Sequence, residues 1–102
     1  MTSDITPTAA GSGNVVSRTL EIRNQRGLHA RAAAKFVKLV GQFTAEVTVV
    51  KGDVSVSGSS IMGLMMLAAG PGTEIEVRAS GRDAAAVIAA LAELVARKFD
   101  EN

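Results

Sequence analysis

The hydrophobic period changes repeatedly along these 102 residues, and that alternation limits the fold more than composition does. Alternating apolar and polar residues suit a half-buried strand, whereas apolar residues three and four apart suit one face of a helix. From Val16 to Arg23, the apolar positions Val16, Leu20 and Ile22 lie on one side of an extended chain. The spacing then switches. Between Ala30 and Gln42, Ala33, Phe36, Val37 and Val40 share a helical face, with Lys35 and Lys38 on the other side. Ala45 to Val50 is β-rich, Lys51-Gly52-Asp53 is a turn, and Val54 to Ser57 alternates, so these segments predict a hairpin.

The helical period returns between Ser59 and Leu67, a short helix opened by a serine N-cap. Either Ser59 or Ser60 suits the cap. Gly70-Pro71-Gly72 ends that segment. Thr73 to Ala79 alternates Ile75 and Val77 with Glu74, Glu76 and Arg78, which predicts a half-exposed strand. Ser80-Gly81-Arg82-Asp83 reads as a capping box for a last helix. Its apolar positions Ala84, Val87, Ile88, Leu91, Leu94 and Val95 form one continuous face.

The element order is strand, helix, strand, strand, helix, strand, helix. Four short strands and three helices make an α+β domain, with the helices on one sheet face and the other face solvated. The length allows one core. Residues 1–14, rich in Gly, Ser, Thr and Ala without periodicity, are expected to be a flexible N-terminal leader, and 15–102 the domain.

Composition removes several function classes. A net charge of +1 and the absence of Trp and Tyr give no case for nucleic-acid binding. Without cysteine there can be no disulfide, thiolate chemistry or Cys-ligated metal. One histidine without a paired-ligand motif predicts no metal site, and nothing points to a cofactor. The apolar stretch Ile61 to Ala69 contains Gly63 and is too short to insert into a membrane. No basic segment followed by an apolar run marks a secretory signal, so a cytoplasmic location is expected.

The single histidine, His29, stands where the loop Asn24-Gln25-Arg26-Gly27-Leu28 meets the first predicted helix. A helix start presents unpaired N–H groups and the positive end of the dipole, a natural phosphate site. Imidazole is also a competent nucleophile near neutral pH, and phosphorus bound to its nitrogen is labile. Arg31 is close enough to offer a planar donor fork if His29 is the N-cap. By position alone, a surface or capping histidine is the commoner role.

Two segments together resemble a known family. Gly27-Leu28-His29-Ala30-Arg31 and Ser60-Ile61-Met62-Gly63-Leu64-Met65 are similar to the active-site and regulatory-serine segments of the histidine-containing phosphocarrier (HPr) family of the bacterial phosphoenolpyruvate-dependent phosphotransferase system, in its sugar-type or nitrogen-type branch. The spacing between them and the downstream Gly72-Thr73-Glu74-Ile75 also match, over roughly residues 16–98. The family usually has proline after the arginine, whereas this chain has Ala32. Alanine still favours the helix but rigidifies its entry less.

The resemblance implies an open-faced β-sandwich, a four-stranded antiparallel sheet with three helices on one face. It implies a carrier with a covalent phosphohistidine rather than a free-standing enzyme. His29 would accept a phosphoryl group at Nδ1 from enzyme I and pass it to a IIA-type protein, with Arg31 positioning the phosphate. Ser60, more than Ser59, would be the target of an HPr kinase/phosphorylase, or simply a cap.

The short helix is apolar nearly all round. Ile61, Leu64 and Leu67 or Ala68 are best placed to pack inward, and adaptable methionines suit a surface meeting several partners. The expected docking surface comprises Ala30, Lys35, Lys38, Ile61, Met62, Met65 and Met66 on a monomer. Arg31, Lys35 and Lys38 form a basic stripe that would guide acidic partners. The alternative is a regulatory interaction module that controls target proteins through its phosphorylation state.

Overall fold

A computed structural model describes residues 15–101, so the expected leader at 1–14 lies outside the described residues. The elements are β1 (Val15–Glu21), α1 (Ala30–Val40), β2 (Glu46–Lys51), β3 (Val54–Ser57), α2 (Ile61–Met66), β4 (Glu74–Ser80) and α3 (Ala84–Ala96). A short 3-10 turn, Lys98–Asp100, follows α3. The strands form one antiparallel sheet in the order β1-β4-β2-β3. This is the open-faced sandwich expected: four strands with three helices.

The register explains the core. Leu20 lies opposite Ile75, Val47 opposite Ala79, and Val49 between Val77 and Val56. Because side chains alternate across a strand, these residues share one sheet face. Against that face pack Ala33, Phe36 and Val40 of α1 and Val87, Leu91 and Val95 of α3, all buried. The β2–β3 hairpin closes with Lys51 opposite Val54, and Gly52 takes the left-handed backbone (φ +58°) that a two-residue loop requires.

Three local expectations change. Ser80 does not open a capping box. It is the last residue of β4, paired with Val15 and Glu46 on the two neighbouring strands. Asp83 is the N-cap position of α3, but its side chain makes no cap bond. Instead its Oδ2 accepts from the Thr44 N–H at 2.7 Å, and its own N–H donates to the Thr44 carbonyl at 2.9 Å. This reciprocal pair, between residues 39 apart, takes the carboxylate that local spacing assigned to the helix. The Thr44 N–H, then Arg82, holds the Asp83 carboxyl below its ordinary range.

In α2, Leu64 and Leu67 are buried as expected, but Ile61 is 41% exposed. A helix of only six residues presents one narrow buried face, which Leu64 fills. The cap is Ser60, whose Oγ accepts from the Gly63 N–H at 2.9 Å. The first helix ends at Val40 rather than Gln42, because the chain tightens there into bonds from Gln42 N–H to Leu39 O and from Phe43 N–H to Val40 O.

The chain after α3 is unusual. Lys98, Phe99 and Asp100 all have positive φ, at +59°, +55° and +61°. Left-handed backbone costs non-glycine residues roughly 1–2 kcal/mol each. Burial of the Phe99 ring offsets that cost, since it is 1% exposed in the core. The turn returns the chain across the start of α1.

Candidate functional site

Residues 24–29 form a loop whose shape follows from one turn and one close approach. Gly27 N–H donates to the Asn24 carbonyl at 3.1 Å, and Asn24 Nδ2 donates to the Gly27 carbonyl at 2.7 Å. Gly27 has φ +64°, and a Cβ there would lie 2.3 Å from the Ala69 carbonyl oxygen. Only glycine permits both. The next residue, Leu28, donates its N–H to that same carbonyl at 3.0 Å and buries its side chain. The loop is thereby fixed to the chain that leaves α2.

His29 is the N-cap of α1, with extended backbone and its carbonyl accepting from Ala33 N–H at 2.9 Å. Its imidazole makes no cap bond. Among the described residues, the first-turn N–H groups at the positive end of the helix therefore receive no bond from the N-cap side chain.

The ring is held from the other side. His29 Nε2 is hydrogen-bonded to Glu101 Oε2, with the two side chains 15% and 18% exposed. Asn24 Nδ2 donates to the same oxygen at 3.0 Å. The His29 hydrogen bond, and to a lesser degree that of Asn24, lowers the Glu101 carboxyl below its ordinary value, with desolvation acting against them. An ionised carboxylate only accepts, so Nε2 is the donor. Asn24 is fully buried, and its Oδ1 has no partner among the described residues.

Around the ring lies a surface cavity of about 320 Å³ lined by Arg26, Leu28, His29, Met65, Ala68 and Gly70. Beside it Met62 and Met66 are 70% and 74% exposed, and Ile61 and Met65 are 41% exposed. Ala30, Arg31 and Lys38 are also exposed. Lys35 departs from the expected stripe. Its Nζ donates to the Phe99 carbonyl at 2.8 Å and lies 3.9 Å from Asp100 Oδ2, so it is engaged within the chain. Among the described residues, no group of three His, Asp or Glu side chains is placed to hold a metal, and no helix is long and apolar enough to cross a membrane.

Residues 16–97 match the sequence profile of the family described as "PTS HPr component phosphorylation site". The chain belongs to the HPr family. Membership is consistent across relatives of both branches. A phosphocarrier protein HPr of Neisseria meningitidis serogroup A is 48% identical over 88 residues, 86% of this chain and 99% of that one. A phosphocarrier protein NPr of Shewanella violacea is 44% identical over 86 residues, 84% of this chain and 94% of that one. The crystal structure of an HPr from Thermoanaerobacter tengcongensis superposes with a TM-score of 0.81 at 39% identity, covering 85% of this chain and 98% of that one. HPr membership implies a phosphocarrier role in the phosphotransferase system, with phosphotransferase enzymes as the implied partners.

Sequence reasoning placed His29, Arg31, Ser60 and the methionines in this region of the HPr fold. It missed Asn24, Phe99 and Glu101. Asn24 carried one faint signal, the Asn-x-x-Gly spacing of a turn. Glu101 carried none, because it reaches His29 across 72 positions.

Proposed function

We propose that this HPr relays a phosphoryl group on His29. The nucleophile is Nδ1, and the donor is phosphorylated enzyme I. The observation that carries this reading is that His29 occupies the N-cap of α1 without capping it. Its ring stands at an uncapped helix start, beside an exposed apolar patch. Attack by the Nδ1 lone pair forms the N–P bond, while the donor's bond to phosphorus breaks and its electron pair leaves with the donor. The dianion then lies against first-turn N–H groups, which bind it without losing side-chain entropy. Arg31, exposed two residues on, supplies a bidentate donor to the phosphoryl oxygens. Onward transfer to a IIA-type acceptor reverses the step.

The patch of Ile61, Met62, Met65 and Met66 serves as the apolar centre of docking, and the exposed Ala30 and Lys38 of α1 complete the docking surface in this reading. In this reading the relay operates in a monomer. The test is incubation of the protein with purified enzyme I and labelled phosphoenolpyruvate. The wild type is expected to gain one acid-labile phosphoryl group and His29→Ala none. Undiminished labelling of His29→Ala would refute the assignment.

A second reading, modification of Ser60 by an HPr kinase/phosphorylase, is favoured by one observation. Ser60 Oγ lies at the edge of that same apolar patch, next to the exposed Ile61. A phosphate there would add about two negative charges to the docking surface. Ser60→Asp is expected to weaken binding of enzyme I, and equal affinity of Ser60→Asp and wild type would remove this reading.

A further inference from the structure

We propose that Glu101 is a positioning residue that decides which nitrogen of His29 takes the phosphoryl group, an inference that rests on the phosphocarrier reading above. The two imidazole nitrogens are chemically distinct once one of them holds a proton. Glu101 Oε2 faces Nε2, and a carboxylate can only accept. The single proton of the neutral ring therefore sits on Nε2, and the lone pair is left on Nδ1. Nε2 is also covered by the carboxylate, so phosphorus has no approach to it.

The carboxylate is held where this choice is enforced. Asn24 Nδ2 shares Oε2 with His29 and also holds the Gly27 carbonyl, so the buried amide spans the loop and the chain after α3. Turning that amide over would set its oxygen against two acceptors. Upstream, the buried Phe99 ring and the bond from Lys35 to the Phe99 carbonyl fix the left-handed turn that brings Glu101 back to His29. A purely structural tail would need only the Phe99 anchor. The second fastening, onto the reacting ring itself, is what points to a role in transfer.

The step balances without proton exchange. The Nδ1 lone pair forms the bond to phosphorus, and the donor leaves with the electrons of its broken bond. The ring becomes an imidazolium with the phosphoryl group on Nδ1 and the proton still on Nε2, facing the Glu101 carboxylate. When the group moves on, the N–P electron pair returns to Nδ1, and the ring is again the neutral form it was before.

The test uses the full chain, labelled with ¹⁵N at histidine, and phosphoramidate as the donor. Its P–N bond breaks and ammonia leaves, so no protein partner is needed. Coupled ³¹P and ¹⁵N spectra identify the phosphorylated nitrogen. The wild type is expected to carry phosphate on Nδ1 alone. In Glu101→Ala, and in a chain ending at Asp100, the ratio of Nδ1 to Nε2 adduct should fall about tenfold or more, the loss expected of one charge-assisted hydrogen bond. Glu101→Gln keeps an oxygen that accepts from both His29 and Asn24, and should keep the phosphate on Nδ1. Wild-type selectivity in Glu101→Ala, or a divided adduct in Glu101→Gln, would overturn the proposal. Enzyme I is absent from this experiment. Failure of transfer from enzyme I would instead count against the carrier reading and leave the nitrogen result intact.

Discussion

Lys35 Nζ donates to the carbonyl of Phe99 at 2.8 Å, tying the middle of α1 to the chain that follows α3. That bond converts one member of an expected basic stripe into a fastening. It joins the buried Phe99 ring and the Glu101–His29 contact in a single strap across the start of α1. The strap couples stability of the chain end to the geometry of the candidate nucleophile.

The anchor of the strap is its most sensitive point. Phe99→Ala removes a large, fully buried ring, and about 3–5 kcal/mol of stability is expected to go with it. Urea unfolding measures the loss. Lys35→Met should cost less, because the bond is half-exposed and the alkyl stem is kept. Equal losses for both variants would contradict this ranking.

The strap should also loosen in acid. The Glu101 carboxyl is held below its ordinary value near 4.5, chiefly by His29. A carboxyl with a depressed folded-state value stabilises the fold above its unfolded value and loses that contribution as pH falls through the folded one. The stability difference between wild type and Glu101→Gln is therefore expected to be complete above about pH 5 and to close below it. Denaturation curves at pH 7, 5 and 3 check this. A difference that widened on acidification would reverse the sign assigned to Glu101.

Gly27→Ala is expected to be far more damaging than its size suggests. The position needs φ +64°, and the added carbon would meet the Ala69 carbonyl at 2.3 Å. The cost should exceed about 1 kcal/mol, because backbone faces backbone and neither can rotate away. Thermal unfolding reports the cost, and His29 ring signals report the displaced loop. An unchanged melting temperature would mean that the loop is not held as tightly as its bond to Ala69 implies.

The two neighbouring serines should separate cleanly. Ser60→Ala removes the N-cap bond to Gly63 and is expected to cost about 1 kcal/mol. The Ser59 side chain is exposed, so Ser59→Ala should stay within about 0.5 kcal/mol of wild type. Equal effects in unfolding experiments would reassign the cap.

Periodicity alone made much of this architecture legible. Leu20, Ile75 and Val77 alternate with polar residues, and they face one core because side chains alternate along a strand. Phe36, Val40, Val87 and Leu91 recur at helical spacing and are buried for the same kind of local reason. The failure at Ser80 and Asp83 shows the limit. Their spacing suits a cap, yet the sheet claims Ser80 and a distant backbone claims Asp83. Ile61 failed similarly, since a one-and-a-half-turn helix has too few positions for spacing to decide which apolar residue faces in.

The sequence by itself determined the order of strands and helices, the glycine loop before α1, and His29 at a helix start. Each of these depends on residues within a few positions of one another. Tertiary structure decided that Lys35 is fastened inward, and that Asn24 and Glu101 hold the histidine ring. Those contacts form only when the chain after α3 turns left-handed and returns to α1. Their partners stand 64 to 77 positions apart, beyond the reach of any local period.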